Sequence, residues 1–384
     1  MFLTALQMLF GDKIKYITMV SAVCFSTIIM TQQPSILSGL LSRTYSFVKD
    51  TGAPNIWVMD PGVNFVEENK HIRTINLNKI KGLEGIEWAV PMYKSMTIAK
   101  LPGGKTVGVD LTGIDDFTLI GAPSSTTSPL SNLKKTDAIF VEISASKKRL
   151  RAQNGDGGER ALKIGDVLEI NDKRAVVEGF FKGTPNFILQ PQIFTLSSRA
   201  HTYAPPKRKG ITYILVKTKP NYNEDSVIQS IKKKTELSAL STEDFKKLNV
   251  TYWKDNTGIP INFGISVILG FLVGFAVVAQ TFYNFIHENE KYFSVLLAMG
   301  LRTKTLIKMV ITQALTVGLI GYGLGVGVTV IFGLLMMNNT VLAFKFTPFI
   351  LICSLFGVLT IISAAAFLGI RRIINLEPST VFRS

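Results

Sequence analysis

Residues 256–286 read NTGIPINFGISVILGFLVGFAVVAQTFYNFI, 31 positions without one Asp, Glu, Lys, Arg or His. About 20 apolar residues carry a helix across the hydrocarbon core of a bilayer. A helix is also the one open-ended element whose backbone groups are satisfied there without water. Three more windows share this character: Tyr16–Ser42, Met309–Phe344 and Phe346–Ile370. We read four transmembrane helices, over residues 16–42, 256–286, 309–337 and 346–370.

The charges confirm the division. The 384-residue chain carries 42 Lys/Arg and 27 Asp/Glu, a formal net charge of +15. Residues 43–255 hold 32 of the bases and 23 of the acids, so the other 171 positions share 14 charged side chains. That is too few to clothe a soluble protein of this size. The fold class is therefore an integral membrane protein of four transmembrane α-helices, with a large extracytoplasmic (periplasmic) α+β domain, residues 43–255, inserted between helices 1 and 2.

The first window competes with a signal peptide, because Lys13 and Lys15 precede it. Its apolar run outlasts a 7–15-residue signal core and no small-x-small cleavage site follows. Ser21-Ala22-Val23-Cys24 faintly resembles a lipoprotein signal, but Val23 stands where a small residue is required. A retained anchor is expected. Cys24 and Cys353 fall early in spans of opposite direction, which places the two thiols at different depths and argues against a disulfide.

Lys and Arg in short connections set orientation. The segment 1–15, the loop 287–308 and the tail 371–384 carry nine of them, against Lys345 alone in the loop around Asn338–Phe346. Both termini are expected in the cytoplasm, with the protein in the plasma (inner) membrane. Within 43–255, strands are expected at Asn55–Asp60, Trp88–Lys100, Thr106–Gly113, Val167–Ile170 and Arg174–Phe181, and helices at Leu77–Leu83 and Ser226–Leu237. Gly103-Gly104 and Asn171-Asp172 mark hairpin turns. Residues 120–135 and 151–160 read as mobile loops, and the mixture suggests two packed subdomains. Glu243–Leu248 leads back to the membrane.

No motif argues for catalysis. Gly103-Gly104-Lys105-Thr106 ends like a phosphate-binding loop, but the Gly required five positions earlier is Ala99, and a strand rather than a helix follows. His71, His201 and His287 lie far apart in sequence, and no metal-ligating or nucleophile spacing occurs, so no catalytic residue, metal or cofactor is assigned. Asp115-Asp116 and Glu67-Glu68 read as solvated surface. Lys147-Lys148-Arg149, Lys207-Arg208-Lys209 and Lys232-Lys233-Lys234 lie in a domain placed outside the membrane and lack interleaved aromatics, so nucleic acid is not the expected partner. They read as a solvated face, with anionic membrane lipid as the alternative partner.

The spans carry packing signals instead. Gly321-xxx-Gly325 and Gly323-xxx-Gly327 in the third, and Gly270-xxx-Gly274 in the second, permit close helix approach. No window contains an ionisable residue, which ion-driven transporters place near the midplane. Energy must arrive from elsewhere, and the loop 287–308 is the entry point. Its stretch Glu288–Gly300, ENEKYFSVLLAMG, sets Phe293, Leu296 and Leu297 at helical spacing behind Glu288, Glu290 and Lys291. We expect a short surface helix with those three apolar residues as anchors for a partner, and Gly300 as its exit.

These residues resemble the MacB/FtsX-type permeases of ABC transporters, and most closely their DevC-like branch. The resemblance covers the layout of the whole chain. It is carried by Ala298-Met299-Gly300, by Arg371-Arg372 with Leu376-Glu377-Pro378 and Val381-Phe382-Arg383, by Ile56–Asp60 and by Leu162–Val177. Tyr292 stands where the family has an acid and Leu297 where it has a base. The resemblance implies a non-catalytic permease subunit, a homodimer, coupled to a cytoplasmic ABC ATPase that binds the ATP and Mg. A periplasmic adaptor and an outer-membrane channel are the further partners it implies, and lipid-like or amphiphilic cargo. Its alternative is an FtsX-like regulator that controls an extracytoplasmic partner such as a cell-wall hydrolase. A sensor without an ATPase is a third reading.

Overall fold

The structure, a computed structural model, describes residues 2–153, 158–204, 210–339 and 342–374. They form two compact units, Leu41–Asn256 and the segments before and after it. The chain opens with helix α1 (Phe2–Gly11), followed by α2 (Lys13–Arg43). The segment 1–15 is thus not merely a tail. Ala5 and Leu9, one turn apart, are fully buried in the core of the helical unit, and the Gln313 side-chain amide donates to the Ala5 carbonyl at 2.9 Å.

The outer domain begins with α3 (Ser46–Thr51), β1 (Ile56–Met59) and α4 (Ile75–Lys81). The strands β2 (Ile86–Lys100) and β3 (Thr106–Ile114) form a long hairpin. Its turn is the glycine pair read from sequence: Gly103 and Gly104 have φ of 104° and 90°, and the Gly104 amide donates to the Leu101 carbonyl at 2.9 Å. A left-handed backbone of this kind suits glycine. Then come β4 (Ala138–Glu142), α5 (Ile143–Lys148), β5 (Arg151–Gln153), β6 (Glu159–Ala161), β7 (Val167–Ile170) and β8 (Lys173–Phe181). Asn171 and Asp172, both at positive φ, join β7 to β8, as a two-residue hairpin requires. The domain closes with β9 (Gln192–Leu196), α6 (Ser197–Tyr203), β10 (Tyr213–Thr218), α7 (Glu224–Thr235), β11 (Ser238–Ser241) and α8 (Thr242–Asp255).

Nine strands form one sheet in the order β11-β1-β10-β2-β3-β9-β4-β8-β7. The 15-residue β2 belongs to both halves. Its first part pairs with β10, and its end pairs with β7, which closes the β3-to-β7 half on itself. The two subdomains expected from sequence are therefore halves of a continuous sheet, sharing a strand. Ile80, Ile214 and Ile231 fill the core under α4 and α7; Trp57, Phe140, Phe194 and Tyr213 fill that of the other face.

Among the described residues, both segments expected to be mobile make fixed pairings. Thr126 bridges Phe181, a 3-10 turn covers Leu130–Lys134, and Leu133 is fully buried. Residues 151–153 and 159–161 pair as a small hairpin. Gly, Ser and Pro content there encodes turns, and turns can pack.

The chain returns through α9 (Ile259–Glu288), α10 (Glu290–Ala298), α11 (Thr303–Asn339) and α12 (Pro348–Ile374). Among the described residues, four helices are long and apolar enough to cross a membrane: Lys13–Arg43, Ile259–Glu288, Thr303–Met337 and Pro348–Ile374. The glycines separate into two sets. A Cβ on Gly270 would meet Ile29, one on Gly274 Ser26, one on Gly321 Val23, and one on Gly325 Thr27 and the Cys24 carbonyl. These four let α9 and α11 close on α2. Gly323 and Gly327, on the other side of α11, have nothing within 4 Å of such an atom. Among the described residues of this unit they face open space.

Candidate coupling site at the charged end of the helical unit

Asn289 alone separates α9 from α10, and its side chain donates back to the Phe285 carbonyl at 2.7 Å. At the other end, α10 stops at a glycine that adopts φ of 90°. The Gly300 amide donates to the Leu297 carbonyl at 2.9 Å and the Leu301 amide to the Leu296 carbonyl at 3.1 Å. This is the paired Schellman cap, and it brings Leu301 over Leu296. Met299-Gly300 thus ends the helix and turns the chain into α11.

Packing in the helical unit decides which face of α10 looks outward. Phe293 is fully buried in the core of the helical unit, with Leu296, Leu297 and Leu301 half-buried against it. Phe293 therefore holds α10 to its own bundle, while Leu296 and Leu297 keep part of their surface exposed. The exposed apolar residues are Tyr292 at 65%, Val295 at 42% and Met299 at 73%. They lie at i, i+3 and i+7, one helical stripe. Lys291 and Ala298 are also exposed. A 3.6-residue period reveals two apolar stripes on this short helix but not which of them the bundle takes.

The acids are committed as well. Glu290 pairs with the Arg372 guanidinium, which also donates to the Tyr283 hydroxyl and lies 2.8 Å from His287 Nδ1. Burial pushes the Glu290 carboxyl up, and the bonds from Arg372 and His287 more than offset it, holding the carboxyl below its ordinary range. Glu288 pairs with Lys15, which also holds Asp12 at 2.8 Å. The two acids flanking Asn289 thus tie the α9–α10 corner to the start of α2 and the end of α12. The basic run Lys207-Arg208-Lys209 and the C-terminal residues Leu376-Glu377-Pro378 and Val381-Phe382-Arg383 lie outside the described residues.

Elsewhere, one acid departs from its sequence reading. Glu67 is not solvated surface: it is 7% exposed, and neither carboxylate oxygen has a hydrogen-bond partner among the described residues. Burial raises its carboxyl to about 7, against the pull of Lys94. The loop is pinned at the preceding residue, since the Val66 amide donates to Asn249 Oδ1 at 2.7 Å and its carbonyl accepts from the Tyr213 hydroxyl at 2.8 Å. No signal in Glu67-Glu68 distinguishes the buried acid from the exposed one. Among the described residues no three of His, Cys, Asp and Glu gather as metal ligands do. Lys105 of the Gly-Gly-Lys-Thr turn pairs with Glu159 at 3.2 Å.

The chain is similar to the periplasmic region of MacB from Actinobacillus actinomycetemcomitans, at 15% identity and a TM-score of 0.37, over 52% of this chain and 94% of that one. It is also similar to the extracellular domain of the noncanonic ABC-type transporter YknZ from Gram-positive bacteria, at 12% identity and a TM-score of 0.34, over 49% of this chain and 98% of that one. No curated protein matches the chain significantly. Residues 264–378, which hold α10, α11, α12 and most of α9, match the FtsX-like permease C-terminal family.

Proposed function

We propose that this chain is the transmembrane subunit of an ATP-driven permease, and that a separate cytoplasmic ABC ATPase, binding the ATP and Mg, docks on α10. The observation that carries the reading is the α10 corner. A helix inside the FtsX-like match and the cap residue after it present Tyr292, Val295 and Met299 outward, while Glu290–Arg372 fastens α10 to α12 and Glu288–Lys15 fastens the adjoining end of α9 to α2. Apolar anchors supply most of the affinity in such a contact, and the ion pairs carry its displacement. A push on α10 reaches α12 through Glu290–Arg372 and, across Asn289 and the end of α9, reaches α2 through Glu288–Lys15. The chain of α2 runs directly into the outer domain, and three residues separate α8 from α9. ATPase motion is thereby delivered outside the membrane. The nine-to-one bias of Lys and Arg supports cytoplasmic termini, and the cargo we favour is lipid-like or amphiphilic, exported by a dimer with a periplasmic adaptor.

The test is co-purification of the ATPase and its stimulated hydrolysis. Val295→Asp and Met299→Asp should each weaken association by roughly ten-fold or more, the loss of one apolar anchor, and Lys291→Ala should change it less. If both Asp variants insert normally and leave association and hydrolysis intact, α10 is a connector and docking lies elsewhere. Phe293→Asp would be uninformative, since it buries a charge in the bundle core.

A further inference from the structure

Beside the α10 corner, α9 and α12 part to leave a cavity of about 710 Å³. Its α9 wall is Ala276, Ala279, Gln280 and Tyr283, and its α12 wall is Leu368, Arg371 and Arg372. The spacings i, i+3, i+4, i+7 and i, i+3, i+4 put each set on one helical stripe. The two walls share a gradient. Toward the middle of the span they are small or apolar, Ala276, Ala279 and Leu368. About 10 Å further along α9, at 1.5 Å per residue, they end in Tyr283 and the two arginines.

The two arginines differ. Arg372 is spent on Glu290, Tyr283 and His287, and Glu290, the acid in the cavity, is neutralised by that contact. Arg371 is exposed, and no hydrogen bond or ion pair engages it among the described residues. It stands one position beyond the uncharged window that ends at Ile370, where the apolar part of the span gives way to the interface. The cavity thus presents an uncompensated positive charge above an apolar slot.

We propose that this cavity binds one anionic phospholipid, its phosphate on Arg371 and the upper part of an acyl chain over Ala276, Ala279 and Leu368. Basic pockets between spanning helices favour such headgroups, and the volume, within the ~300–1,000 Å³ of small-molecule sites, holds a headgroup and the first part of a chain. A zwitterionic headgroup is disfavoured, because the carboxylate that would meet its ammonium is already paired. The inference rests on the helices spanning a bilayer and not on the ATPase reading. Lipid bound here wedges α9 against α12 beside the Arg372–Glu290 pair, so lipid composition becomes an input to the same corner.

The experiment uses the full chain in detergent, without ATPase, titrated with phosphatidylglycerol or with phosphatidylcholine of the same acyl chains, and counts bound lipid by native mass spectrometry. Wild type should hold one phosphatidylglycerol in preference to phosphatidylcholine. Arg371→Gln should weaken it roughly five-fold, the contribution of one basic residue near a membrane surface. Arg371→Lys should retain it, Lys304→Gln, in the first turn of α11 and outside the cavity lining, should leave it unchanged, and Ala276→Phe, which fills the slot, should also weaken it. Equal binding of both lipids, no change in Arg371→Gln or Ala276→Phe, or an equal loss in Lys304→Gln would each overturn the proposal. So would displacement by millimolar inorganic phosphate, which would make free phosphate the ligand. Failure of the α10 variants above leaves these outcomes untouched.

Discussion

In the outer domain Lys94 is fully buried and paired with Asp110, its ammonium 4.2 Å from the centre of the Phe47 ring. In the helical unit the buried polar side chains among the described residues are hydroxyls and one amide. Thr27, Thr31, Ser35 and Thr329 donate to the carbonyl four residues earlier, at 2.6 to 2.9 Å, and Thr31 and Thr329 meet across α2 and α11 at 2.8 Å. The difference follows from the surroundings. A sheet that places Lys94 and Asp110 diagonally on adjacent strands gives each charge a fixed partner. Spans that come to rest in lipid can satisfy a hydroxyl on their own backbone. The helical unit then keeps its charges for its ends, where Lys15, Glu288, Glu290 and Arg372 act as fastenings.

The comparison breaks most visibly at the ion pair. Lys94→Met leaves Asp110 buried with only Asn186, at 3.4 Å, and should cost the outer domain about 3–5 kcal/mol. The three tryptophans of the chain, Trp57, Trp88 and Trp253, all lie in that domain, so fluorescence-monitored denaturation reports it alone. Lys94→Met with Asp110→Leu should recover most of the loss. If the single substitution is neutral, the buried pair is not what organises this sheet.

Glu67 sharpens the same contrast with pH. Its carboxyl is raised from an ordinary 4.5 to about 7 because burial penalises the charge. A raised folded value means that the stabilisation is complete below pH 4.5 and is lost as pH rises through about 7. The whole effect is on the order of 3 kcal/mol. Glu67→Gln should flatten this part of the outer domain's stability profile and leave it the more stable protein at pH 8. Parallel profiles for the two proteins would place the titrating group elsewhere.

The helical unit should respond to volume where the outer domain responds to charge. Gly325→Leu drives a side chain into Thr27 and the Cys24 carbonyl, at 2.6 and 2.8 Å from the position of its first carbon, and should cost about 1–3 kcal/mol. Gly323→Leu, two residues away with open space around it, should leave the melting temperature in detergent close to wild type. Equal losses would erase the distinction between the two sides of α11.

The sequence by itself determined whatever depends on neighbours along the chain. A run without charge marks a span, since crossing a bilayer is a demand on length and polarity alone. Gly103-Gly104 and Asn171-Asp172 mark hairpins, because the turn needs positive φ at those positions. Gly300 ends α10 for the same reason. Tertiary structure decided everything that depends on which face meets what. It sorted Gly321 and Gly325 from Gly323 and Gly327, docked Ala5 and Leu9 of α1 into the core, and buried Glu67 while its neighbour Glu68 stayed at the surface. It also turned Phe293 inward and Tyr292, Val295 and Met299 outward. Periodicity gives a helix its stripes, but a stripe becomes core or surface only when α2, α9, α11 and α12 close around it, and those contacts join residues up to about 300 positions apart, as Thr31 joins Thr329.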